Sequence, residues 1–145
     1  DLEILRLVQR DARLTADAIS QTIGLSQPAV QKRLKKLRET GVIEREIAVL
    51  APAELGRAMT VIAEVTLERE SRRHLDDFKR KMRNAPCVQQ CYYTTGEADF
   101  KLILLVADIA EYERFTQEYF FDESNIRRFG ASVVMDRVKV SLDVL

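Results

Sequence analysis

The segment "GLSQPAVQKRLKKLRETG", Gly24 to Gly41, decides how this chain is interpreted. Five cationic residues lie between Ser26 and Arg38 with no acidic residue among them, although the whole chain has 23 basic and 23 acidic residues. A serine cap, a proline in the first turn, apolar residues at helical spacing and a closing glycine predict one helix over about 26–40. An electrically neutral chain therefore concentrates positive charge on one short predicted helix.

A helical wheel divides this segment into two faces. Val30, Leu34 and Leu37 fall together and predict its buried side. The other side and the exposed first turn carry amides near the start of the segment and ammonium groups further along, a pattern that suits a helix in the DNA major groove. The candidate DNA-contacting residues are Ser26, Gln27, Pro28, Gln31, Lys32, Arg33, Lys35 and Lys36. Amide side chains can read base edges, particularly adenine, and lysines neutralise phosphates. Arg33 borders the buried side, so a structural or phosphate-clamping role is expected for it rather than base reading.

A solvated surface is the usual explanation of a charged helix, but the flanking sequence favours a DNA-binding unit. "DLEILRLVQRDA" and "RLTADAISQTIGL" both carry apolar residues at helical spacing, and the second opens at a capping Thr15 and stops at Gly24. The short "GLS" connection leads into the charged helix, and the β-rich "VIEREIAVL" suggests a short two-stranded wing. These elements predict a winged helix-turn-helix.

The second half of the chain changes to strand periodicity. "APAELGRA" predicts a linker, and "MTVIAEVTLE" alternates as a strand does. A helix beginning at Ser71, two strands joined around Gly96, a helix beginning at Asp108 and a closing strand in "ASVVMDRVKVSL" complete the order βαββαβ. This order predicts an α+β chain that ends in a ferredoxin-like sandwich, with both helices on one face of an antiparallel sheet. We expect a second subunit to cover the other face.

These patterns predict three parts of the chain. A winged helix-turn-helix domain covers 1–50, a linker covers 51–58, and a ferredoxin-like domain covers 59–145. Two cysteines in a chain of this size suit a reducing cytoplasm. No apolar run approaches the roughly 18–20 residues that a membrane span needs, so no membrane partner is expected.

The first half of the chain carries "DAR", "GLS", the Arg33-x-x-x-Leu37 register and "GVI", and the second half carries "TTGEADFKLIL" and "VVMDRVK". In these motifs the chain resembles the Lrp/AsnC family of bacterial and archaeal transcription regulators. The resemblance covers essentially the whole chain. It implies a DNA-binding regulator, not an enzyme and without a cofactor, whose C-terminal domain senses a metabolite that is usually an amino acid. It also implies homodimers that commonly assemble into octamers.

The same resemblance places the effector beside the turn of the central hairpin, at Thr95, Gly96, Glu97, Ala98 and Asp99. A glycine there allows backbone N–H groups to face a carboxylate, and the two acidic side chains can accept hydrogen bonds from an α-ammonium group. An alternative stays open, because acidic turns with glycine are common and Asp99 could bond only its own turn. Phe100 stands where the family often has Tyr, so any role of that hydroxyl is absent from this chain.

No catalytic or metal-binding set emerges from the sequence. Cys87, Cys91 and a distant His74 cannot supply four zinc ligands, so buried or interfacial thiols and a surface histidine are expected. The architecture also resembles that of siroheme decarboxylase subunits. Those enzymes would need histidine and arginine side chains around an acidic tetrapyrrole, and this chain has a single histidine. An effector-independent DNA-organising protein is the remaining alternative.

Overall fold

The computed structural model describes residues 1–121 and 123–145, which form two compact units. The first unit comprises Asp1–Val49 and Val138–Leu145, and the second comprises Leu50–Arg137. The helices of the first unit are α1 (Leu2–Val8), α2 (Ala16–Ile23) and α3 (Gln27–Glu39). The elements of the second are β1 (Met59–Leu67), α4 (Arg72–Asn84), β2 (Val88–Tyr93), β3 (Phe100–Val106), α5 (Ile109–Thr116) and β4 (Ile126–Val133). A 3-10 turn, Pro52–Leu55, precedes β1, and a π-helical turn, Gln117–Phe121, continues α5.

The predicted start of α2 and both ends of the connection to α3 are confirmed in the first unit. The Thr15 hydroxyl accepts a hydrogen bond from the Ala18 N–H at 3.1 Å, and the Ser26 hydroxyl caps α3 through the Ala29 N–H at 3.4 Å. Gly24 ends α2 with φ +72°, a left-handed conformation that favours glycine. The three helices bury one apolar cluster, made of Ile4, Ile19, Val30, Leu34 and Leu37.

A turn at Gly41 and a bend at Val42 and Ile43 follow α3, and none of residues 42–50 belongs to a strand. The two-stranded ladder expected for the wing is therefore absent from this stretch. A β-rich composition forms a ladder only where another strand is hydrogen-bonded to it, and no described residue pairs with this stretch in that way. Its first half is held to α3 instead: the Ile43 N–H donates to the Leu37 carbonyl at 3.0 Å, and the Arg38 guanidinium donates twice to Glu46 at 2.8 and 3.1 Å.

The second unit confirms the order βαββαβ and the antiparallel sheet. The strand order is β2-β3-β1-β4, so β1 and β3 are central. Alternate residues of these central strands point to the face that carries both helices, and there Val65, Phe100 and Leu102 are completely buried beside Phe78 of α4 and Phe115 of α5. The other face of the sheet is more exposed, and no helix of the described residues packs against it.

The closing strand lies earlier in the chain than "ASVVMDRVKVSL" predicted. Val133 pairs with Val61, and the Val134 N–H makes one more hydrogen bond to the Thr60 carbonyl at 2.9 Å. The β1–β4 pairing ends here, near the beginning of β1, and none of residues 134–145 belongs to a strand.

The last eight residues also differ from the predicted division of the chain. Residues 138–145, which the sequence assigned to the second domain, group with the first unit. There the Gln9 side chain donates to the Leu145 carbonyl at 2.7 Å and accepts from the Leu145 N–H at 3.1 Å. Sequence patterns could not predict this, because the two residues are 136 positions apart.

Candidate DNA-binding face and effector turn

The packing of α3 decides which of its side chains face solvent. Val30 is completely buried, and Leu34 and Leu37 are each 6% exposed. Because successive residues turn by about 100° around a helix, burying these three side chains directs the opposite side outward. All eight candidate DNA-contacting residues are exposed: Ser26, Gln27, Pro28, Gln31, Lys32, Arg33, Lys35 and Lys36.

The amide side chains of this face are available for recognition. Within the described residues, neither Gln27 nor Gln31 makes a side-chain hydrogen bond. Both lie in the N-terminal half of α3, which begins at a serine cap, has proline in its first turn and carries no acid there. The partial positive charge of a helix N-terminus adds to the attraction for a phosphate backbone.

The cationic side chains differ in how they are paired. Within the described residues, Lys32 and Lys36 have no acidic group within 4.0 Å. The Lys35 ammonium lies 3.7 Å from Glu39 and the Arg33 guanidinium lies 3.5 Å from Asp1, and all four of these side chains are about half exposed or more. Exposed pairs of this kind stabilise a fold by less than about 1 kcal/mol and are easily exchanged for other partners. Lys32, Lys35 and Lys36 are therefore available to phosphates, whereas Arg33 also links α3 to the start of the chain.

The dimensions and chemistry of α3 fit a duplex groove. Its 13 residues extend about 20 Å, and the B-DNA major groove, about 12 Å wide, accommodates one helix. Amides lie towards one end of the exposed side and ammonium groups towards the other, so a helix placed in the groove could combine base contacts with phosphate contacts.

The predicted effector turn connects β2 to β3 and has an exposed part and a buried part. Gly96 has φ +105°, a conformation that disfavours any residue with a Cβ atom. Thr95, Gly96 and Glu97 are exposed, whereas Ala98 and Asp99 are each only 9% exposed. The five candidate residues are thus contiguous in space, but only the first three present their side chains or backbone to solvent.

Asp99 has a structural partner at the end of β1. One oxygen of its carboxylate accepts a hydrogen bond from the Leu67 N–H at 2.7 Å, where the β1–β4 register shifts. Its own N–H donates to the Val65 carbonyl at 2.9 Å. Asp99 therefore holds the turn against β1, a structural role in which its carboxylate bonds the neighbouring strand rather than only its own turn.

The Asp99 carboxylate also meets Glu70, a residue that sequence reasoning did not select. The pKa of Glu70 is raised, first by a hydrogen bond to Asp99 and then by the negative charge of that carboxylate. Glu70 follows β1, whereas Asp99 precedes β3, so only the antiparallel register of these strands brings them together. No spacing rule within the sequence could have indicated this pair.

The exposed part of the turn keeps its polar groups accessible. The Glu97 side chain is 94% exposed and lies 3.8 Å from the Arg128 guanidinium, while its backbone carbonyl accepts a hydrogen bond from the Thr66 hydroxyl at 3.3 Å. Within the described residues, the Thr95 hydroxyl makes no hydrogen bond. These groups could accept an ammonium group, and the glycine backbone leaves room for a small ligand.

The two cysteines and the histidine considered as possible metal ligands do not come together into a site within the described residues. Cys87 and Cys91 are half-buried free thiols, and burial raises the pKa of both. His74 contacts the Ser71 hydroxyl at the start of α4. Among the described residues, no group of three or more His, Cys, Asp or Glu side chains could hold a metal ion. No described helix has the length and apolar character needed to cross a membrane.

Two family models match the chain. A winged helix-turn-helix DNA-binding model matches residues 1–44, and an Lrp/AsnC ligand binding domain model matches residues 60–144.

Similar proteins extend over almost the whole chain. An uncharacterized HTH-type transcriptional regulator of Sinorhizobium fredii is 44% identical over 144 residues, which are 99% of this chain and 85% of the relative. The leucine-responsive regulatory protein of Rhizobium meliloti is 28% identical over 99% of this chain and 92% of its own length. The crystal structure of an AsnC family transcriptional regulator from Agrobacterium tumefaciens has a TM-score of 0.94 at 28% identity and covers 99% of this chain and 94% of that protein.

Replacing Asp99 with Ala is expected to destabilise the second unit. The change leaves the buried Leu67 N–H without its acceptor, which costs about 1–3 kcal/mol. Denaturant titrations monitored by circular dichroism measure the difference in the free energy of unfolding between wild type and Asp99→Ala. Glu97→Gln is the matched control, because its exposed carboxylate has no comparable partner and its removal should cost less than about 0.5 kcal/mol. Equal stability of wild type and Asp99→Ala would show that this hydrogen bond does not hold the turn.

Proposed function

The chain belongs to the Lrp/AsnC family of transcriptional regulators, and on that premise we propose that α3 binds the DNA major groove while the second unit senses an amino acid. One observation carries the DNA-binding part of the proposal. The buried residues of α3 all lie on one side, and the opposite side presents amides and lysines, with no acid before Glu39. In this proposal Gln27 and Gln31 contact base edges, and Lys32, Lys35 and Lys36 contact phosphates.

A homodimer is the second part of the proposal. On the helix-free face of the sheet, Ile62 is 39% exposed and Ile103 and Leu105 are half-buried, although all three are apolar. The Glu64–Lys101 ion pair, at 3.4 Å, lies on the same face. A second copy packed on this face would bury these apolar side chains, and its two-fold axis would relate two copies of α3. Two such helices suit half-sites one helical turn apart, about 34 Å. That these dimers assemble further into an octamer is proposed from the resemblance to the family.

The third part of the proposal is an amino-acid effector at the exposed part of the turn. A relative that covers almost the whole chain is named as leucine-responsive, and a ligand-binding family model matches residues 60–144, most of which lie in the second unit. In this site Glu97 accepts hydrogen bonds from the α-ammonium group, and backbone N–H groups near Gly96 donate to the carboxylate. Asp99 acts by holding the turn in place. Effector binding changes the oligomeric assembly or the relative orientation of the DNA-binding units. The free energy that couples effector binding to DNA binding is about 1–3 kcal/mol.

We infer a regulatory role and no enzymatic role, in a reducing cytoplasm. The similar proteins are transcription regulators, and none of them supports a siroheme decarboxylase. The two free thiols agree with a reducing compartment. A DNA-organising protein without an effector differs from the proposed regulator only in its response to ligand, which a thermal-shift measurement detects.

Replacing Lys32 and Lys36 together with Ala is expected to weaken DNA binding at all sequences and to flatten its salt dependence. Removing one phosphate contact lowers the slope of log K against log salt by about 0.9. Fluorescence anisotropy with a random-sequence duplex over a range of salt concentrations measures the slope. Arg114→Ala with Arg127→Ala removes the same charge from the second unit and should leave the slope unchanged. An unchanged slope in the α3 variant would contradict the proposed role of this face.

Amino acids are expected to raise the thermal midpoint of the protein when each is added separately in a thermal-shift screen. A ligand at one hundred times its Kd stabilises the folded state by about 2.7 kcal/mol. Glu97→Ala should abolish the shift given by the active amino acid without changing the midpoint of the unliganded protein, because the Glu97 side chain is 94% exposed. Arg127→Ala serves as the control that retains the shift. A screen in which no amino acid stabilises the wild type would favour the effector-independent alternative.

A further inference from the structure

The positive charge of the second unit is concentrated on α4. This helix has six cationic and two acidic residues, whereas the rest of Leu50–Arg137 has seven cationic and thirteen acidic residues. An acidic unit therefore carries one strongly basic element. Nothing in the proposed effector site or the proposed dimer face uses this charge.

The inner and outer sides of α4 are clearly separated. Phe78 and Met82 are buried against the sheet. Arg72, Arg73 and Arg83 are exposed, and within the described residues none of them has an acidic group within 4.0 Å. About 16 Å of helix separates Arg72 from Arg83, so these guanidinium groups are spread along the element rather than clustered at one point.

The two acidic residues of α4 neutralise only part of the positive charge on its exposed side. Asp77 pairs with Arg80 and also lies 3.1 Å from the Lys81 ammonium, which in turn contacts Glu123 at 2.5 Å. Asp77 is thereby engaged with two other cations of the helix. Asp76 is the one remaining acidic residue on α4, against the three arginines without an acidic partner.

The basic side of α4 continues onto the sheet edge. The Lys79 ammonium lies 5.1 Å from the centre of the Tyr93 ring, and Tyr93 is 51% exposed on the edge strand β2. This cation–π arrangement places Lys79 beside an exposed ring rather than beside an acid. We define the α4 cationic face as Arg72, Arg73, Lys79 and Arg83.

We propose that the α4 cationic face binds the phosphate backbone of duplex DNA, as a second DNA contact separate from α3. This inference rests on the proposed function, because it assigns the surface to the same partner. Double-stranded DNA carries about one negative charge per 1.7 Å of its axis, so cations spread along a helix can each meet a phosphate. Guanidinium groups bind phosphate in a bidentate manner, which favours arginine for this task. Contacts made to phosphates alone carry no sequence information, so this face adds affinity without sequence preference.

The test compares two variants of the full-length chain that remove equal charge. R72Q/R73Q/R83Q changes the α4 cationic face, and the control R114Q/R127Q/R137Q changes three exposed arginines elsewhere in the second unit. The probe is a random-sequence duplex of about 150 base pairs, titrated at several salt concentrations around 0.1 M.

The α4 variant should lower the salt slope by about two to three per bound chain and bind on the order of a hundredfold more weakly at 0.1 M salt, while the control stays within about twofold of wild type. The single variant R73Q, which changes one exposed side chain, should lower the slope by about one. Because R73Q removes no buried group, it keeps the test valid if the triple variant fails to fold.

Each other outcome overturns the inference in a distinguishable way. If the slope falls equally in both triple variants, only the overall charge matters. If the α4 variants match wild type while replacement of Lys32 and Lys36 still flattens the slope, α4 does not bind DNA but the proposed function stands. If the wild type binds no duplex, the proposed function fails as well. If the α4 variants change the sedimentation coefficient but not the DNA slope, the face binds a second copy of this chain.

Discussion

Five buried side chains in the first unit fix the rotation of α3 about its own axis, and the DNA-binding account depends on that rotation. Three of them, Val30, Leu34 and Leu37, come from α3 itself, and Ile4 and Ile19 come from the helices against which it packs. Rotating α3 by half a turn would bury ammonium groups in this apolar cluster, which is very costly without acidic partners. The exposure of the lysines is thus a consequence of core packing rather than a separate property of the surface.

Net charge conceals the electrostatics of this chain. The equal numbers of basic and acidic residues suggest no partner, yet α3 and α4 each carry more basic than acidic residues. On both helices the apolar residues occupy one side, so the charged residues share the other. Each helix therefore presents a cationic surface that the neutral total charge of the chain does not reveal.

Local signals predicted most of the fold, because caps, glycine stops and apolar periodicity act within a few residues. Ser26 and Gly24 set helix ends that the structure confirms. Features that need a distant partner were not predictable from the sequence. β4 stops pairing near the beginning of β1, the Gln9 side chain bonds Leu145, and Glu70 and Asp99 are brought together by the β1–β3 pairing. The candidate effector turn was located by resemblance, and the structure adds that Asp99 is buried and anchors it to β1.

Lysine acetylation footprinting with mass spectrometry, with and without duplex DNA, tests the central claim most directly, because it measures each ammonium group separately. Without DNA, Lys32, Lys35 and Lys36 should all react readily, since their side chains are exposed. With saturating duplex, these three should be protected severalfold, while the reactivity of Lys101 should not change. Slow reaction of Lys32 and Lys36 in the free protein, or equal reactivity with and without bound DNA, would contradict the account.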